Sequence, residues 1–144
     1  GTDVIGFKFE SSVDEPSRKD ILIAAEVKAN LSGTNFNTIK KAVKDSKKDN
    51  FRIATTLDYY RLKLKQYGDV DNARKILRFE RKSELPYKTI YNAFAITSLD
   101  VIDDNTIIQI NGSDLNLALN QNVYFVHGKD LMELAHNVYD RCKE

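Results

Sequence analysis

The longest unbroken apolar segment of the chain, residues 21–25, leads directly into the triplet Glu26-Val27-Lys28. A continuous apolar segment of this length is typical of a strand that is buried on both faces of a sheet. It is far shorter than the ~20 apolar residues that a membrane-spanning helix requires. The sequence therefore predicts a buried strand over residues 20–30 whose last residues carry charge.

The size and composition of the chain predict one packed domain. Its 144 residues are 42% hydrophobic and 30% charged, which is enough for a core and excludes global disorder. We expect a single domain over residues 1–144, and a fragment of a longer protein, because the chain opens at Gly1 without Met and a strand pattern already begins at Val4. The one cysteine, Cys142, cannot form an internal disulfide and no secretory leader opens the chain, so we expect a cytoplasmic protein without membrane association.

The order of the predicted elements indicates an α/β fold. Residues 3–10 alternate with Ile5, Phe7 and Phe9 on one face, and a polar loop joins them to residues 20–30, which predicts an antiparallel hairpin. The order ββ-ααα-β-β-β-α then predicts a mixed sheet flanked by helices. The further predicted elements are helices over residues 35 or 37 to 48, 51–67 and 70–81, strands over 89–99, 106–110 and 123–127, and a helix over 129–141.

The final predicted helix carries apolar side chains at steps of three and four, which predicts a face buried in the core. Cys142 follows on the same side, so we expect it to be a core residue and not a nucleophile. The stripe consists of Leu131, Leu134, Ala135 and Val138.

Glu26 and Lys28 are the residues that most suggest chemistry. They are separated by one residue within a predicted strand, so both side chains project from the same face of the sheet. A metal ion beside a scissile phosphate would explain this pair of charges at the end of an apolar strand. If opposed residue numbers in the hairpin sum to an odd value near 29 to 31, Asp3 faces Glu26 or Lys28, whereas an even sum places Asp3 on the other face.

The spacing alone leaves a structural Glu-Lys pair as an alternative to catalysis. An acid-x-Lys triplet occurs three times in the chain, and the triplets that begin at Asp45 and Glu80 lie in polar predicted helices, where we interpret them as solvated surface. Only the triplet at Glu26 combines a buried strand with an acid on the preceding strand.

Two short segments carry a resemblance to known families. Gly1-Thr2-Asp3 with Ala25-Glu26-Val27-Lys28-Ala29 resembles the PD-(D/E)xK nuclease superfamily, in which an acid on one strand precedes (D/E)-x-K on the next. A closer resemblance is to the nuclease-like domain of the HamA family of Hachiman antiphage defence. That likeness is carried by Gly-x-Asp-Val-Ile, Ala-Glu-Val-Lys-Ala and the segment at residues 123–132, Val-Tyr-Phe-Val-His-Gly-Lys-Asp-Leu-Met.

The resemblance implies a restriction-endonuclease-like core and a metal-dependent nuclease that hydrolyses DNA phosphodiester bonds beside a separate helicase subunit. It implies that Asp3 and Glu26 ligate Mg²⁺ or Mn²⁺ and that Lys28 is the catalytic lysine. The chain departs from the pattern at Thr2, where the motif has Pro. Only two residues precede Asp3, where the superfamily has a helix and a strand, so we expect a core that lacks its first elements.

A basic segment follows the motif. Between residues 35 and 88 the chain has 15 Lys and Arg against 7 Asp and Glu, which is compatible with a surface that binds DNA phosphates. We interpret Lys40, Lys41 and Lys44 as candidate DNA contacts. The alternative is a solvated helix face with Asp45 and Asp49 as its partners.

No sequence motif supports a zinc site, a nucleophilic hydrolase or a nucleotide-binding loop. Neither His127 nor His136 has a second His or Cys at ligand spacing, and the chain contains neither a nucleophile elbow nor a Gly-rich phosphate loop. The sequence therefore leaves two readings: a nuclease, or a non-catalytic module that binds nucleic acid or protein on a degraded nuclease fold.

Overall fold

A computed structural model describes residues 2–10, 16–31, 37–80, 87–98 and 115–143 of the chain. Its elements are, in chain order, β1 (Val4–Lys8), β2 (Ile21–Asn30), α1 (Thr38–Gln66), α2 (Val70–Glu80), β3 (Lys88–Ser98), β4 (Gln121–Gly128) and α3 (Leu131–Arg141).

The four strands form one mixed sheet in the order β1-β2-β3-β4. β1 is antiparallel to β2, whereas β2, β3 and β4 are parallel to one another. A parallel pair requires a crossover connection, and α1 and α2 supply it between β2 and β3. The predicted α/β class, the mixed sheet and the antiparallel hairpin are confirmed, and the architecture is compatible with a restriction-endonuclease-like core.

The apolar segment forms the central part of β2, as predicted, but only one face of the strand is fully covered. Leu22, Ala24 and Glu26 point toward α1 and are buried, whereas Ile21 and Ile23 on the other face are half-buried. The prediction that this strand is buried on both faces is thus only partly correct. The reason is that α1 and α2 pack on the same side of the sheet.

Helix α1 is a single helix where the sequence predicted two. The predicted break near residues 49–50 contains neither Gly nor Pro, and the buried stripe of the helix continues through it from Val43 to Ile53. Continuous packing of one face against the sheet outweighs the modest helix propensity of Asp and Asn. The helix ends as predicted, before Gly68 in the left-handed conformation at φ 78°.

Two apolar clusters lie between α1 and the sheet, one toward each end of the helix. The first joins the C-terminal half of α1 to α2 and the start of β2 and β3, and its buried members are Leu22, Ala24, Ile53, Leu57, Ile76, Phe79, Tyr87 and Tyr91. The second joins the N-terminal part of α1 to the later residues of β3, and its buried members are Ile39, Ala42, Val43, Ala93 and Ala95. Glu26, Ser46 and Asp49 are buried and polar and belong to neither cluster.

The C-terminal helix differs from its prediction. Within α3, which the structure describes in full, no side chain is buried, and Leu134 and Val138 are more than half exposed. Cys142 is also exposed, so its assignment to the core is wrong. Periodicity identifies the apolar face of a helix but not what covers it. The predicted strand over 106–110 lies outside the described residues.

Candidate functional site

The register of the hairpin brings the three predicted site residues to one face. Val4 pairs with Ala25 and Lys8 with Ile21, so opposed residue numbers sum to 29. Extending this register by one residue places Asp3 opposite Glu26. The Oδ2 atom of Asp3 accepts a hydrogen bond from the backbone N–H of Val27 at 2.9 Å. The odd-sum alternative is therefore confirmed, and Asp3 caps the end of the ladder beside Glu26 and Lys28.

Lys28 is held between two carboxylates. Its ammonium group donates a hydrogen bond to Oε1 of Glu26, and its Nζ lies 3.4 Å from Oδ2 of Asp45 on α1. The bond to Glu26 raises the pKa of Lys28 against the opposing effect of burial, and Asp45 raises it further. The Glu26 side chain is 5% exposed, whereas that of Lys28 is 31% exposed. Lys28 is thus held in its charged form, and its side chain lies between the buried Glu26 carboxylate and the protein surface.

Three buried side chains near this pair each have one oxygen without a hydrogen-bond partner among the described residues. These atoms are Oε2 of Glu26, Oγ of Ser46 and Oδ2 of Asp49, and we refer to the three residues as the buried polar trio. An unsatisfied buried polar group costs about 1–3 kcal/mol, and more when it is charged. Three such groups between two apolar clusters lower the stability of the fold, and unsatisfied buried polar groups of this kind are typical of functional sites.

Asp49 is the member of the trio that the hairpin motif does not include. Its side chain is fully buried, and its Oδ1 accepts a hydrogen bond from the hydroxyl of Thr2 at 2.9 Å. Burial raises the pKa of Asp49, the Thr2 bond opposes this, and the negative charges of Glu26 and Asp3 raise it again. The carboxylates of Glu26 and Asp3 therefore both act electrostatically on that of Asp49.

A comparison with protein-family models adds an independent observation. The model of the HamA family matches residues 1–142, nearly the whole chain. The chain belongs to the HamA family. Its membership confirms the resemblance to the HamA family drawn from the sequence motifs and makes the chain a component of antiphage defence. No curated protein and no solved structure matches it.

The donor set of this HamA chain fits Mg²⁺ or Mn²⁺ better than Zn²⁺. Among the residues that the structure describes, no three Asp, Glu, His or Cys side chains already form a group that could hold an ion. Magnesium does not require such a group, because it is commonly bound through one or two carboxylates, water and substrate phosphate oxygens. Two carboxylates here have oxygens of the type that Mg²⁺ prefers. The Oε2 atom of buried Glu26 has no partner within the described chain, and the exposed Asp3 accepts the Val27 N–H through Oδ2.

The alternative of a solvated face on α1, with Asp45 and Asp49 as its partners, is only partly correct. Asp45 pairs with Lys48 on that face, but it is half-buried and also contacts Lys28, whereas Asp49 is fully buried. A signal was present in the sequence, because Ser46 and Asp49 continue the three- and four-residue steps of the stripe that runs from Val43 to Ile53.

The three candidate DNA-binding lysines, Lys40, Lys41 and Lys44, are exposed on the first turns of α1. Lys41 also lines a cavity of about 210 Å³ at the carboxyl end of β2, together with Lys28 and Asn30. Larger cavities of about 370 and 520 Å³ include none of the predicted site residues, and one of about 310 Å³ includes Asp3 but neither Glu26 nor Lys28. The small cavity is the one that connects Lys28 with a candidate DNA contact.

None of the helices in the described part of the chain has the length and apolar character needed to cross a membrane. His127 and His136 are both exposed.

Proposed function

We propose that this HamA chain is a metal-dependent nuclease of the PD-(D/E)xK type that hydrolyses DNA phosphodiester bonds, with a helicase subunit as its partner in defence. The buried Glu26 carboxylate carries the proposal. One of its oxygens is bonded to Lys28, and the other has no partner in the described part of the chain. Lys28 balances the charge of Glu26, but a buried oxygen without a hydrogen-bond partner is unfavourable, and a divalent cation at this oxygen would satisfy it.

Each residue of the motif has a distinct role in the proposal. Glu26 and Asp3 hold Mg²⁺ or Mn²⁺, and the bound ion supplies Lewis-acid polarisation of the phosphate and a water of lowered pKa. Lys28 stays protonated because of its contacts with Glu26 and Asp45. It is therefore suited to neutralise charge that develops on the phosphate, and not to remove a proton from water.

The first test of the proposal is cleavage of plasmid and linear DNA with Mg²⁺ or Mn²⁺. We expect cleavage that EDTA stops and that Glu26→Gln abolishes, because the substitution removes the carboxylate charge while it keeps the side-chain shape. Glu133→Gln on α3 is a matched control, because Glu133 is exposed, and it should cleave like the wild type.

The same assay distinguishes a nuclease from the alternative function, a non-catalytic binding module. A chain that binds DNA with steep salt dependence, does not respond to metal and does not cleave is a non-catalytic module, and its Glu26–Lys28 pair is structural. An active Glu26→Gln variant would also rule out the proposed site.

Lys41 is expected to be the strongest DNA contact among the three candidate lysines, because it shares a cavity with Lys28. Lys41→Gln should weaken DNA binding and reduce the slope of log K against log salt by about 0.9, the value for one phosphate contact on duplex DNA. The measurement is fluorescence anisotropy with labelled duplex at several salt concentrations.

Lys65→Gln is the matched control for Lys41, since Lys65 is exposed on the last turn of the same helix. Equal slopes for Lys41→Gln and the wild type would mean that DNA does not approach along the start of α1.

A further inference from the structure

Asp49 lies at the boundary between the two apolar clusters. On α1, Val43 belongs to the cluster toward the N-terminus and Ile53 to the cluster toward the C-terminus, and Asp49 is buried between them. A position of this kind favours an apolar side chain, because a buried charge without a partner is strongly unfavourable. Packing therefore does not explain why the chain has an aspartate at position 49.

The contacts of Asp49 leave one of its oxygens for a ligand. The hydroxyl of Thr2 fixes Oδ1 at 2.9 Å, while Oδ2 is buried and has no protein partner among the described residues. Glu26 has the same arrangement, with Oε1 fixed by Lys28 and Oε2 buried and partnerless within the described chain. In both carboxylates, one oxygen is used for orientation and the other is open.

The charges around Asp49 favour a cation. The negative charges of Glu26 and Asp3 both act unfavourably on the ionised Asp49 carboxylate. The ammonium group of Lys28 is already shared between Glu26 and Asp45. A divalent cation between the open oxygens would relieve the repulsion and satisfy both buried atoms at once.

We propose that Asp49 is a ligand of the divalent metal ion, through Oδ2, together with Oε2 of Glu26. The assignment rests on the proposed nuclease function and adds to it a ligand from α1 that the hairpin motif does not contain. Thr2 then acts as a positioning residue, because its hydroxyl orients the Asp49 carboxylate.

The test is Mn²⁺ binding to the 144-residue chain by isothermal titration calorimetry, without DNA. Even residues that only orient metal ligands contribute about 10–100-fold to metal affinity, so Asp49→Asn should weaken Mn²⁺ binding at least tenfold. Asp58→Asn is the matched control on the same helix, since the Asp58 side chain is 54% exposed, and it should bind like the wild type. Thr2→Val should give a smaller loss, since it leaves the carboxylate in place.

A second measurement keeps folding separate from metal binding. Without metal, Asp49→Asn should unfold at the same temperature as the wild type or higher, because it removes a buried charge, and it should lose the rise in unfolding temperature that Mn²⁺ gives the wild type. If Asp49→Asn does not fold, Asp49→Ser takes its place in both measurements.

The outcomes separate the two proposals. Mn²⁺ binding that is lost in Glu26→Gln but kept in Asp49→Asn overturns the assignment of Asp49 and leaves the nuclease proposal standing. A wild-type chain that neither binds Mn²⁺ nor cleaves DNA overturns both. Tenfold or greater weakening in Asp49→Asn, with an unchanged Asp58→Asn, establishes the ligand.

Discussion

Replacing Lys28 with Ala is expected to slow DNA cleavage by about 10²–10³-fold, the usual effect of removing one group that stabilises charge in a transition state. Lys28 is the one motif residue with a positive charge, and it reaches from buried Glu26 to the cavity that Lys41 lines. Metal binding depends on the carboxylates, so the variant should still bind Mn²⁺. The measurement is the single-turnover cleavage rate at saturating metal.

Lys48→Ala is the matched control for this experiment. Like Lys28, Lys48 forms an ion pair with Asp45, but its side chain is 45% exposed and it lies outside the motif. The control should cleave at the wild-type rate and show the same circular dichroism spectrum. A Lys28→Ala variant that folds, binds Mn²⁺ and cleaves as fast as the wild type would remove Lys28 from the site.

The motif strand and its neighbours could be predicted because their signals are local. An apolar segment that ends in charge identifies β2, and alternation places Glu26 and Lys28 on one face without any tertiary information. The register was predicted only as a choice between odd and even sums, because turn geometry in a long polar loop is not encoded in the strands. In the structure, opposed residue numbers sum to 29, which is odd.

The helical spacing that predicts a buried Asp49 is visible in the sequence only if α1 is taken as one continuous helix. Asp49 lies in the polar segment Lys-Asp-Ser-Lys-Lys-Asp-Asn at residues 44–50, where the expected break between two helices removes any defined face. Once α1 is continuous, the helical step from Val43 through Ser46 to Asp49 points into the sheet. Tertiary packing, and not local propensity, therefore determines that Asp49 is buried.

The second large effect is expected in stability, at Asp20. Its carboxylate and the Arg78 guanidinium are each 3% exposed and form a buried ion pair, with Nε of Arg78 2.7 Å from Oδ2 of Asp20. The same carboxylate accepts the backbone N–H groups of Glu10 and Ser17 at 3.0 and 2.9 Å. It thus joins the end of the hairpin loop to α2, beside the first residue of β2.

Asp20→Ala is expected to lower the free energy of unfolding by about 3–5 kcal/mol, because it removes the carboxylate that balances the buried Arg78 charge. Urea denaturation followed by circular dichroism measures the change. The matched control is Asp58→Ala, which breaks a surface pair with Arg61 and should cost less than about 1 kcal/mol. A loss at Asp20 as small as that at Asp58 would show that the buried pair does not stabilise the fold.

The pH dependence of stability at the same position, measured with Asp20→Asn, provides a further check. Burial alone would raise the pKa of Asp20, but the N–H groups of Ser17 and Glu10 and the charge of Arg78 together lower it below its ordinary value. The ionised form is therefore favoured in the folded state, and its contribution is fully present above the unfolded pKa of about 3.9. It is lost as the pH falls through the lower folded value. The stability difference between the wild type and Asp20→Asn should accordingly be constant near neutral pH and shrink below about pH 4, whereas a difference that grew on acidification would mean that Asp20 is protonated in the folded chain.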